Sequence, residues 1–156
     1  MSSGEEIGLV SVKNCKLEWK IDNFFSYNEE DLQLNSPDFL VLNTMWYIQI
    51  CPNGSTRHNS KGCVSLYMYR KDDKDPQTVE YRLGIKNVNN TVECELIDVA
   101  TISTSGWGYH KFIKRSDLLQ RKSELVPSDI LTVTCTIMMK NNTSDLDSSK
   151  YKIGII

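Results

Sequence analysis

Ile130-Leu-Thr-Val-Thr-Cys-Thr-Ile-Met-Met139 alternates: Leu131, Val133, Cys135 and Ile137 fall on one side of an extended chain, and Thr132, Thr134 and Thr136 on the other. A period of two, rich in β-branched residues, is the pattern of a strand with one buried face. It does not fit the 3.6 period of an amphipathic helix. Outward from this stretch the alternation recurs. In Lys16-Leu-Glu-Trp-Lys-Ile21, Leu17, Trp19 and Ile21 oppose Lys16, Glu18 and Lys20, and Trp46-Tyr-Ile-Gln-Ile50 runs into the turn Cys51-Pro-Asn-Gly54. Cys63-Val-Ser-Leu-Tyr-Met-Tyr69 and Val79-Glu-Tyr-Arg-Leu-Gly-Ile85 are two more strands. The charged stretch Arg70-Lys-Asp-Asp-Lys-Asp-Pro76 between them is expected as a solvated loop. Asn87-Val-Asn-Asn90 is a hairpin turn leading into a strand over residues 91–99. One short helix is expected, with Ser116 capping Asp117-Leu-Leu-Gln-Arg121 and Pro127 closing the segment, so that it covers one end of the fold. Short strands separated by turn signals describe an all-β sandwich or barrel.

The chain has 156 residues, 40% of them hydrophobic, which is enough for one domain with a core that needs neither disulfides nor a metal. With 18 Lys+Arg against 20 Asp+Glu, the net charge is −2. No basic stripe offers itself to phosphate backbones or anionic lipid, so neither nucleic acid nor membrane is an expected partner. Apolar runs such as residues 39–42 and 136–139 are far shorter than the ~20 residues that cross a bilayer. Residues 1–10 are expected as a flexible flank and 141–156 as a flexible tail or the start of a linker, around a folded part over residues 11–140. Glu5 and Glu6 stand where a signal peptide carries base, which leads to an expectation of nuclear or cytoplasmic residence. Accordingly the five cysteines, no two closer than 12 residues, are expected to be reduced and mostly buried. The glycosylation-like triplets at Asn53, Asn89, Asn141 and Asn142 are expected to be chance matches in turns.

Catalytic chemistry needs a nucleophile, base or metal within mutual reach, and the supply here is thin. The two histidines, His58 and His110, are expected at the surface, and no hydrolase, metalloprotease or nucleotide motif occurs. The expectation is therefore a non-enzymatic protein without cofactor or metal. The unusual segment is Thr101-Ile-Ser-Thr-Ser-Gly-Trp-Gly-Tyr-His-Lys-Phe112. A Trp between two glycines allows sharp bending and close approach of another chain, and Trp107 and Tyr109 share a side if the segment is extended. An aromatic shelf beside open backbone suits an extended peptide. The alternative is that Trp107 belongs to the core of a bulged strand.

Five segments occur in an order and spacing that resembles MATH (TRAF-like) domains, most closely the speckle-type POZ branch. They are Leu17-Glu-Trp-Lys-Ile-Asp-Asn-Phe24, Trp46-Tyr-Ile-Gln-Ile-Cys-Pro-Asn-Gly54, Val64-Ser-Leu-Tyr-Met68, Gly106-Trp-Gly-Tyr-His-Lys-Phe-Ile-Lys-Arg115 and Leu125-Val-Pro-Ser-Asp-Ile-Leu-Thr-Val-Thr-Cys135. The resemblance covers residues 11–140. It implies an antiparallel sandwich of seven or eight strands that binds short Ser/Thr-rich segments of ubiquitin-ligase substrates, with a following BTB/POZ domain recruiting a cullin scaffold. It also implies a groove containing Tyr67, Tyr81, Trp107, Gly108 and Tyr109. Tyr67 and Tyr81 have the alternative of half-buried strand aromatics. Where the branch carries a Lys-Asp clamp before the Trp, this chain has Ser105-Gly106; an expected aromatic pair on the preceding strand aligns to Val99 and Thr101. Both departures imply a shifted peptide preference. No BTB/POZ region follows residue 140 in this sequence, so cullin recruitment is expected only if one is present in the full gene product. The alternative is a stand-alone MATH protein that masks the same peptides. No apolar heptad precedes residue 11, and a monomer is expected.

Overall fold

The computed structural model describes residues 12–41, 43–71, 75–103 and 106–140. Along them run nine strands: β1 (Val12–Ile21), β2 (Leu34–Asn35), β3 (Phe39–Val41), β4 (Thr44–Cys51), β5 (Cys63–Arg70), β6 (Gln77–Lys86), β7 (Val92–Ile102), β8 (Gly106–Lys114) and β9 (Leu131–Lys140). One sheet has the order β1-β9-β6-β7; the other has β2-β4-β5-β8, with β3 also paired to β4. All pairings are antiparallel. The sheets form a sandwich whose core is the set of inward faces that alternation defines.

In β9, Cys135 lies between Leu17 of β1 and Leu83 of β6, and Ile137 opposes Tyr81. From the other sheet come Trp46, Ile48 and Ile50 of β4 and Val64, Leu66 and Met68 of β5, all buried. Each such aliphatic side chain contributes about 1.5–3 kcal/mol when removed from water, which is why the period-two pattern decides the architecture. The hairpin at Asn87 is as expected: its amide N–H donates to the Thr91 carbonyl, and its side-chain oxygen accepts from the Asn89 and Thr91 amides.

Several expectations need correction. β2 and β3 add two short strands that carry too few residues to show a period. Among the described residues there are two short α-helices, α1 (Arg115–Gln120) and α2 (Lys122–Leu125), and Ser116 caps neither. The chain passes directly from β8 into α1, whose start is fixed by tertiary bonds. The Arg115 amide donates to the Gly62 carbonyl, and its guanidinium donates to the carbonyls of Pro52 (2.8 Å) and Phe25 (3.2 Å). Arg70 is not in a solvated loop: it is 2% exposed, with Nη1 donating to the carbonyls of Asp75 and Ile102. Residues 72–74 of that stretch lie outside the described residues, as do both expected flanks, 1–10 and 141–156. The cysteines are free as expected, yet only Cys51 and Cys135 are buried; Cys15 and Cys63 are partly buried and Cys94 is exposed. Cys94 sits at a bulge in β7 with φ 56°, which turns its side chain out of the core.

Candidate peptide-binding site

Among the described residues β8 pairs only with β5 and β7 only with β6, so each sheet ends in a strand with one unpaired edge. The two end strands border the same side of the sandwich, where Leu96 of β7 and Phe112 and Ile113 of β8 line one cleft of about 420 Å³ with α1. An unpaired strand edge presents main-chain donors and acceptors that another extended chain can use.

Register decides which way each β8 side chain points. Trp107 opposes Met68 and Tyr109 opposes Leu66, so both aromatics lie on the inter-sheet side; Gly106 opposes Tyr69 and Gly108 opposes Tyr67 on the outer side. Trp107 is 42% exposed at the rim. Tyr109 lies deeper, its ring 6.4 Å from both Tyr81 and Phe112. The glycines serve close packing within the protein. A Cβ at 108 would stand 2.1 Å from the Leu66 carbonyl oxygen, and one at 106 would stand 2.5 Å from the Tyr69 ring.

Between Tyr109 and Ile113 β8 carries a bulge opposite Val64 to Leu66, and the Ser65 hydroxyl fills it by donating to the His110 carbonyl (2.6 Å). His110, two residues on from Gly108, lies on the outer side. There its Nδ1 is hydrogen-bonded to the Tyr67 hydroxyl at 2.6 Å, and its ring stacks on His58 with centroids 3.7 Å apart. These residues belong to a second cleft, about 350 Å³, on the outer face of the five-stranded sheet.

The residues singled out in the sequence therefore divide. Trp107 and Tyr109 meet at the inter-sheet rim. Tyr81 is 1% exposed and lies behind Tyr109 as a floor; burial, then the hydrogen bond with Tyr109, pushes its phenol well above the usual range. Tyr67 opens to the outer cleft, where burial raises its phenol. Gly106 and Gly108 are also on the outer side of β8. Val99 and Thr101 point away from both clefts. They oppose Glu80 and Thr78 on the outer face of the other sheet, and the Thr101 and Thr78 hydroxyls share a hydrogen bond at 3.0 Å. In register it is Asp98, opposite Tyr81, and Ala100, opposite Val79, that face the sandwich interior. A slip of one residue exchanges the two faces of a strand, and the bulge at Cys94 sets that parity. Ser105 lies outside the described residues.

Sequence reasoning passed over His58, His110, Leu96, Asp98 and Phe112. The two histidines are brought together across 52 positions by pairing of β5 with β8, for which a single sequence carries no signal. The bulge after Tyr109 breaks the alternation that would otherwise have put Phe112 on the opposite side from Trp107.

The profile of the MATH domain matches residues 16–137. The chain belongs to the MATH domain family. It is 30% identical over 129 residues to a TNF receptor-associated factor family protein of Dictyostelium discoideum, covering 80% of this chain and 28% of that protein. It is 31% identical over 136 residues to TD and POZ domain-containing protein 2 of Mus musculus, covering 82% of this chain and 37% of that protein. This MATH domain thus spans about a third of the length of those relatives. Among solved structures, TRAF5 of Notothenia coriiceps superposes with a TM-score of 0.59 over 85% of this chain and 75% of that one at 16% identity, which shows the shared sandwich. The resemblance drawn from the five segments therefore holds for family and fold. A MATH domain is a protein-interaction module.

Proposed function

We propose that this MATH domain seats a short extended segment of a partner protein along the unpaired edge of β8, with an apolar side chain of that segment against Trp107 and Tyr109. The observation that carries the reading is Trp107, 42% exposed on a strand whose outer edge is unpaired among the described residues. Main-chain pairing supplies affinity and the aromatic rim selects the side chain. The role is binding without chemistry. The segment is of the Ser/Thr-rich kind suggested by the speckle-type resemblance, met in the nucleus or cytoplasm. Where the full gene product carries a BTB/POZ domain, the bound protein is passed to a cullin-type ubiquitin ligase. An extended segment buries little area and loses conformational freedom on docking, so affinity is micromolar and avidity matters.

The test is fluorescence anisotropy with labelled peptides in which an apolar residue leads a run of serines and threonines. Trp107→Ala, folded by circular dichroism, is expected to weaken binding at least about tenfold. Val99→Ala, on the far face, is expected to bind as wild type does. Equal loss in both variants, or no binding by wild type, would overturn the reading.

A further inference from the structure

The outer cleft is built by a loop whose form is fixed. Residues 52–62 fold back over the sheet, and the Asp31 carboxylate accepts from the Thr56 amide (2.7 Å) and hydroxyl (2.5 Å). Ser60 accepts from the Ser55 amide, Ser55 from the His58 amide, and Asn53 from the Gly62 amide. Gly54, at φ +70°, lies so close to Ser60 that a Cβ would stand 1.9 Å from its carbonyl oxygen. This scaffold holds Arg57 and His58 over the cleft. From below come the phenols of Tyr67 and Tyr69, and from the β8 bulge comes His110. Among the described residues no carboxylate pairs with Arg57. Among the described residues the one acid lining the cleft is Asp31, whose carboxylate is turned to the Thr56 amide and hydroxyl, keeps its charge, and is set against Arg57 in the charge balance of the cleft.

We propose that this cleft binds a phosphate group carried by a serine or threonine of the partner segment. A guanidinium with no carboxylate partner among the described residues, two imidazoles and two phenols around a space of about 350 Å³ suit a tetrahedral group with several acceptor oxygens better than a planar carboxylate. The stacked imidazoles, 3.7 Å apart, repel when both are charged, and a phosphate between them and Arg57 would offset that repulsion. Gly106 lines the same cleft and belongs to the strand whose edge is proposed to pair the partner, so one segment reaches both places. Assigning the phosphate to a partner segment rests on the peptide-binding reading; the anion site itself does not.

The experiment follows the His58 and His110 ring signals by NMR while inorganic phosphate, and in a separate arm acetate, is added to the full chain. Phosphate is expected to shift them saturably at millimolar concentration in wild type and in Trp107→Ala, and Arg57→Gln to weaken this at least about tenfold. Acetate is expected to bind at least about tenfold more weakly than phosphate. No saturable shift, equal response to acetate, or an unaffected Arg57→Gln would overturn the site. Labelled peptides differing only in serine, phosphoserine or glutamate at one position then test the source. Tighter binding of the phosphoserine form, lost in Arg57→Gln, supports it. Phosphate binding with no gain for the phosphopeptide overturns the assignment to a partner segment. Failure of every peptide while phosphate still binds removes the peptide-binding reading and leaves the anion site.

Discussion

At Gly108 a single methyl group would collide with the backbone of β5, 2.1 Å from the Leu66 carbonyl oxygen. Backbone cannot step aside as a side chain can. Gly108→Ala is therefore expected to cost about 2 kcal/mol or more in urea denaturation, and Gly106→Ala less, because its obstacle is the Tyr69 ring. The Gly-Trp-Gly motif stood out in the sequence, but a motif does not say which chain approaches its glycines; here it is the protein's own β5. His110 carries a second prediction. Burial first, and His58 second, hold its imidazole below the usual value of 6.5. The unfolded chain therefore takes up the proton more readily than the folded one, so the His110 contribution is fully present above about pH 6.5 and is lost as pH falls through the lower, folded value. Urea midpoints measured from about pH 7.5 down to 5.5 should fall, and His58→Asn should flatten the decline.

Elements differ in how much of them a sequence discloses. β1, β4, β5, β6 and β9 were evident because each turns one apolar face to the core, and that burial writes a period of two into the chain. β7 and β8 were found as segments but not in register. As end strands they bury less, and each carries a bulge: the one in β7 adds one residue and inverts the parity of the strand, while the one in β8 adds two and restores it by Ile113. That is why Val99 and Thr101 were placed on the wrong face while Trp107 and Tyr109 were rightly placed together. The helices show another limit: α1 begins where Arg115 is anchored, not where a capping residue stands. Its guanidinium bonds two carbonyls and lies 5.3 Å from the ring centroids of Phe24 and Phe25. Arg115→Ala is expected to destabilise by about 2–3 kcal/mol. Arg115→Lys should recover little of that, because an ammonium cannot reproduce the planar fork. Chemical denaturation of the two variants checks this.

For the whole molecule, both sheets of the sandwich are open, the outer edges of β7 and β8 are among those left unpaired among the described residues, and the proposed partner uses that of β8. Glu93, Glu95 and Asp98 on β7 and Lys111 and Lys114 on β8 put like charge along each of these strands, which discourages pairing of β7 with β7 or β8 with β8 between copies. Light scattering at micromolar concentration is expected to give the mass of one chain; a mass of three would contradict it. Fold class and family were open to sequence reasoning because many residues encode them redundantly. The outer cleft was not, since it exists only where a loop, a bulge and three strands meet. The most direct test of the central claim is the affinity of a labelled apolar-led Ser/Thr peptide for wild type and for folded Trp107→Ala. A micromolar affinity that drops at least about tenfold in the variant is the expected result. Equal affinity for both proteins would show that the β8 edge is not where the partner binds.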